Sequence, residues 1–71
     1  MKANKFIVSD LDDSSAIPAI KQSIASHDGI NAVRVDMQAS TVTVDYDEAR
    51  YSEKNIQDFV TQAGLTVDKV Q

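Results

Sequence analysis

The stretch Asp10-Leu11-Asp12-Asp13-Ser14-Ser15-Ala16-Ile17-Pro18 holds three carboxylates and two hydroxyls within six consecutive residues, more reactive oxygen than any other part of the chain. Oxygen donors at this spacing suit two chemistries. Asp10, Asp12 and Asp13 are candidate ligands of a hard cation such as Ca²⁺. Such an ion takes six to eight oxygens, and no second acidic cluster nearby completes the set. Alternatively, Asp13, Ser14 or Ser15 accepts hydrogen bonds from the orphan N–H groups at the start of a helix, and the carboxylates complement its dipole. The capping reading uses Asp12, Asp13 and both serines.

Other side chains with chemical potential are few. His27 is the single histidine. It suits a lone metal ligand, a pH-sensitive contact or, as the plainer reading, a half-buried residue near a helix C-terminus. It lies about 18 Å along the helix from the acidic loop, so the two do not form one site. Met1 and Met37 carry the only thioethers; Met37 falls in a predicted hairpin away from the loop, where packing is the expected role. Tyr46 and Tyr51 flank the acidic residues Asp45, Asp47 and Glu48, as strand-end packing or as an interaction surface. No nucleophile is paired with a base, and the solvated carboxylates lack the burial that splits the pKa values of an acid–base dyad. The chain reads as non-enzymatic.

The elements that position these residues follow from pattern. Lys5 to Ser9 alternates Phe6 and Val8 against Ile7, a strand. Pro18, tolerated only in a first helical turn, predicts a helix starting about Ser14 to Ala16. Ile17, Ile20, Ile24 and His27 make its apolar stripe, and Asp28-Gly29 its end. Ile30 to Asp36 and Thr41 to Tyr46 read as an antiparallel hairpin with Thr41, Thr43 and Asp45 on the solvated face. Ser52 caps a second helix carrying Ile56, Phe59, Val60 and Ala63, closed by Gly64. Leu65 to Val70 is a last short strand. Ile20-x3-Ile24-x4-Gly29-Ile30 and Ile56-x3-Val60-x3-Gly64-Leu65 repeat the same helix-to-strand exit. The order βαββαβ predicts an α+β ferredoxin-like sandwich, a four-stranded antiparallel sheet with two helices on one face.

The 71 residues make one domain, 1–71, with 42% hydrophobic and 25% charged residues. No cysteine is present, so disulfides and thiolate metal sites are excluded. A net charge of −4 with scattered cations argues against nucleic acid as a partner. No apolar run is long enough for membrane insertion, and the opening residues are too short for a signal peptide, so a cytoplasmic protein is expected.

Once these segments are placed, the chain resembles the heavy-metal-associated domains, the small copper chaperones and the soluble modules of metal-transporting ATPases, over about Phe6 to Val70. The resemblance rests on Gly29-Ile30-Asn31-Ala32-Val33-Arg34-Val35, on Val42-Thr43-Val44-Asp45-Tyr46-Asp47 and on Ala63-Gly64-Leu65. The family's motif, Gly-Met-x-Cys-x-x-Cys, falls on Asp10 to Ala16. Leu11 takes the place of the methionine, Asp13 that of the first cysteine and Ala16 that of the second. The resemblance implies metal-ion handling and, as partners, another heavy-metal-associated-like domain or a metal-transporting ATPase. The residues at the ligand positions imply that no Cu(I) or Zn²⁺ thiolate site forms, and no cofactor is expected. The alternative is a metal-independent protein–protein interaction module that keeps the fold. A third reading, an amino-acid-binding sensor domain with the same element order, fits Gly29-Ile30 and Tyr46-Asp47 less well.

Overall fold

The computed structural model describes residues 1–71. Its strands are β1 (Lys2–Val8), β2 (Ile30–Asp36), β3 (Thr41–Tyr46) and β4 (Val67–Val70), and its helices are α1 (Ile17–Ala25) and α2 (Glu53–Gln62). The sheet order is β2-β3-β1-β4, with every neighbouring pair antiparallel. Both helices cover one face of the sheet, as the element order predicts. The buried apolar positions alternate along the strands: Phe6 and Val8, Val33, then Val42, Val44 and Tyr46. They meet Ile20 and Ile24 of α1, Ile56 and Val60 of α2, and the loop residues Leu11 and Leu65 in one cluster.

Several boundaries differ from the sequence reading. β1 starts at Lys2 rather than Lys5, because Lys2 to Lys5 pair with Tyr46 to Thr43 of the central strand β3. Asn4 thereby points inward, at 6% exposure. Its amide is satisfied on both sides: the Tyr46 hydroxyl donates to Asn4 Oδ1, and Asn4 Nδ2 donates to Glu53 Oε1 at 2.9 Å. The first helix begins as a single 3₁₀ turn, Ser14–Ala16, and becomes α-helical at Ile17, with Pro18 in the first turn where its missing N–H is not needed. It ends at Ala25, three residues before Asp28, and Gly29 then turns the chain at φ +94. Leu65 is buried but precedes β4, which spans only Val67–Val70.

The solvated sheet face also needs correction. Thr41 is 7% exposed, although it points away from the helices. It sits between Ile7 and Asp36 in the same cross-strand row, and these neighbours shield it. Thr43 and Asp45 are half-buried, and Asp45 takes the Arg34 guanidinium at 3.2 Å.

Candidate functional site

Loop residues Ser9 to Asp13 connect β1 to the 3₁₀ turn, and each side chain has a separate task. Asp10 reaches across to the start of β4. Its Oδ1 accepts the Thr66 N–H at 2.9 Å and its Oδ2 the Thr66 hydroxyl at 3.3 Å. The Ser9 N–H donates to the Thr66 carbonyl at 3.2 Å, so loop and strand are joined at two adjacent residues. Leu11 is buried at 7% exposure and plugs the core beneath the loop. Asp12 is exposed and accepts no hydrogen bond from the chain. Asp13 caps the 3₁₀ turn: its Oδ1 accepts both the Ser15 N–H at 3.0 Å and the Ser15 hydroxyl at 2.7 Å. Those two bonds stabilise the anion and hold its pKa below the ordinary 3.8. The Asp13 carbonyl accepts the Ala16 N–H at 3.1 Å, which closes the turn.

Behind this loop lies a groove of about 190 Å³. Leu11, Ala16, Ala19 and Ile20 form one wall, Ala63, Gly64 and Leu65 at the exit of α2 form the other, and Asp10, Asp12 and Asp13 complete its lining. Gly64 makes the α2 exit tight, at φ +98. The structure therefore brings all the loop candidates to one groove, but does not merge their carboxylates into one ligand set. Nowhere in the molecule do three or more His, Asp or Glu side chains gather in a way that could hold a metal ion.

A soft cation also finds no suitable donors here. Cu(I) selects thiolate and thioether ligands. The groove offers carboxylates, methyl groups and aliphatic side chains, and the chain has no cysteine. The Met1 sulfur receives the Asn31 Nδ2–H at the far end of the sheet. Met37 stands closer to the loop than the sequence reading placed it. β1 and β2 are both antiparallel to β3, so the turn after β2 rises at the same end as the loop after β1, and the Val8 N–H donates to the Ser40 carbonyl at 2.9 Å. Met37 nonetheless packs against the core and does not line the groove.

His27 lies at the opposite end. Its ring stacks on Phe59 of α2 at 3.7 Å between centroids and 7° between planes, and Tyr51 meets Phe59 edge-on at 5.2 Å. The Tyr51 hydroxyl donates to the Asp28 carbonyl. Tyr46 is buried at 1% exposure; burial foremost, then the charges of Glu53 and Glu48, push its phenol above the usual 10.0. Both tyrosines thus serve packing at the strand end. Thr66, Ala19, Ala63 and Gly64 escaped sequence reasoning as site residues. Only the Ala63-Gly64 helix exit carried a signal, and it gave no hint that this exit faces the loop.

Known proteins share this architecture. Residues 5–65 match the family model of the heavy-metal-associated domain. The chain is 34% identical over 53 residues to the copper chaperone CopZ of Bacillus subtilis (strain 168), across 75% of this chain and 77% of that relative. The crystal structure of oxidized MerP from Ralstonia metallidurans CH34 superposes with a TM-score of 0.80 at 20% identity, covering 96% of this chain and 97% of that one. A copper binding domain from HMA7, a P-type ATPase, superposes with a TM-score of 0.83 at 14% identity, covering 100% and 99%. At such identities the structural likeness speaks for the fold, while the family match spans most of the sequence. The chain belongs to the heavy-metal-associated domain family.

Proposed function

We propose that this chain is a non-catalytic binding domain that keeps the heavy-metal-associated fold without its soft-metal site, and that acts through protein contacts. The observation that carries this reading is the donor set of the first loop. Counting back from Ile20, Asp13 and Ala16 stand where the family places its two cysteines, and Leu11 where it places a methionine. The spacing of Asp13 and Ala16, the cap and the last residue of one 3₁₀ turn, and the burial of Leu11 under the loop support that register. One carboxylate and one methyl group do not make a two-coordinate site for Cu(I). Zn²⁺ lacks its usual nitrogen and sulfur donors there as well. The natural partners of such a domain are another heavy-metal-associated-like domain or a metal-transporting ATPase, in the cytoplasm. Likeness to a copper chaperone and to an ATPase domain supports this choice.

A competition titration of Cu(I) against a chromogenic chelator tests the reading. The wild-type chain leaves the chelator loaded; stoichiometric withdrawal of copper from it would sink the proposal. The double variant Asp13→Cys, Ala16→Cys tests the register. With the loop geometry retained, it gains tight Cu(I) binding, since the start of the helix favours thiolates. A variant that folds yet stays inert shows that the motif lies on other residues.

A further inference from the structure

The two edges of the sheet meet solvent differently. β4 is four residues long, carries Lys69, and pairs with β1 through a register shift at Ile7 and Val8. Shortness, lysine and irregularity are the usual protections of an exposed edge. β2 is seven residues long, contains neither Lys nor Pro, and confines its own irregularity to the step between Ile30 and Ala32. From Val33 to Asp36 it is regular and open. The register fixes which of its backbone groups are free. In an antiparallel strand the N–H and C=O of one residue point to the same neighbour, and successive residues alternate. The Val8 N–H donates to the Ser40 carbonyl, so Ser40, Val42 and Val44 bond toward β1, and Thr41, Thr43 and Asp45 toward β2. Their partners in β2 are Asp36, Arg34 and Ala32. Val33 and Val35 therefore aim both backbone groups away from the sheet. Val35 and Met37 are also only partly buried at this rim.

We propose that this edge pairs with the same edge of a second copy of the chain, antiparallel about a two-fold axis at Val35. Residues that bond outward must face one another, so such an axis falls on Val33, Arg34 or Val35. An axis at Arg34 sets the two guanidinium groups directly opposite, and like charges in that position repel. An axis at Val33 puts Arg34 opposite Ala32 and Asp36 opposite Ile30, so neither charge gains a partner. An axis at Val35 puts Arg34 opposite Asp36 of the second copy, twice over by symmetry, on the outer face of the sheet. Neither side chain has to leave its present contact. Arg34 holds Asp45 through Nη2 alone, and Asp36 uses only Oδ1 to cap the hairpin turn at Gln38 and Ala39. On the inner face the same axis lays Val35 against its counterpart and Met37 against Val33 of the second copy. Strand pairing over so few residues buries less than the ~1,200 Å² of a standard interface, so the dimer is weak and reversible. This inference goes beyond the protein-contact reading and does not rest on it, because it uses the sheet edge and not the first loop.

The test follows amide shifts and hydrogen exchange of the full chain from micromolar to millimolar concentration, with sedimentation equilibrium alongside. As dimer forms, the Val33 and Val35 amides shift and exchange more slowly, whereas the Arg34 amide, already bonded to β3, exchanges at an unchanged rate. Arg34→Glu sets carboxylate against carboxylate across the axis, and Asp36→Arg sets guanidinium against guanidinium. Either one weakens self-association about tenfold, the scale of two cross-strand charge pairs. An equimolar mixture of the two variants restores both ion pairs and associates more tightly than either variant alone. A wild type that stays monomeric at millimolar concentration overturns the proposal. So do shifts confined to β4, to the first loop or to the open sheet face, or a mixture no tighter than its components. Where Asp36→Arg unfolds for want of its turn cap, the wild-type amides decide alone. Copper does not enter this test: tight Cu(I) binding would refute the preceding section and leave the edge pairing standing, whereas a monomeric chain that binds no Cu(I) refutes the edge pairing alone.

Discussion

At the scale of single residues, the loop aspartates show that identical side chains a few positions apart do unlike work. Asp10 was legible as polar and close to a helix start, but its partner Thr66 is 56 residues away, and no local pattern announces that bond. Asp13 was legible as a cap, because capping is decided within two residues of sequence. Its pKa is lowered by its bonds to Ser15, so the folded state favours the anion. The stability it contributes is present above the unfolded pKa and fades as pH falls through the lower, folded value. Urea denaturation of the wild type and Asp13→Ala should therefore show a gap near neutral pH that narrows as the pH falls below the ordinary carboxylate range. The second residue-scale case is Tyr46, whose phenol is raised by burial. Its neutral form is favoured in the fold, so its contribution holds below the unfolded value and is lost as pH climbs through the raised one. Tyr46→Phe leaves the buried Asn4 Oδ1 unsatisfied and is expected to cost about 1–3 kcal/mol at neutral pH, measured by denaturant unfolding. A smaller alkaline loss of stability in the variant would confirm the ionisation, and an unchanged alkaline limb would rule it out.

At the scale of elements, apolar periodicity located every strand and helix, and polar residues blurred their ends. The start of β1 was missed because Lys2 and Asn4 do not look like strand residues; pairing with β3 overrides their propensity. The end of α1 was placed late because His27 continues the apolar stripe, although the backbone has already left the helix. The two helix exits, which look alike in sequence, differ in surroundings. Both glycines have positive φ, Gly29 at +94 and Gly64 at +98. A Cβ at Gly29 would meet Arg50 Cδ at 2.9 Å and Tyr51 Cε2 at 3.1 Å, whereas nothing lies within 4 Å of one at Gly64. Arg50 can swing away, but the Tyr51 ring is held by Phe59 and by its bond to the Asp28 carbonyl. Gly64→Ala is expected to lose only the left-handed penalty, about 1–2 kcal/mol. Gly29→Ala should lose more, read as a lower urea midpoint, and equal losses would mean that the Tyr51 ring yields freely.

At the scale of the whole molecule, the fold was legible because each local signal agreed with the others: two amphipathic helices, alternating strands, and glycines at both exits. The groove was only half legible. Its loop wall could be read from Leu11, Asp13 and Ala16, but its other wall, Ala63 to Leu65, depends on how α2 lies across the sheet. Burial of Ile56 and Val60 sets that lie, and one polar contact fixes it from the far side of the molecule. Asn4 grips Glu53 at the first turn of α2, and the helix then runs ten residues, about 15 Å, to its exit. The helix is thus a lever whose fulcrum is a buried amide and whose tip is one jaw of the groove. Releasing the fulcrum with Glu53→Ala should move the amide shifts of Ala63 to Leu65 while leaving those of Asp12 and Asp13 in place. The width of the jaw would then answer to a hydrogen bond that no occupant of the groove can touch.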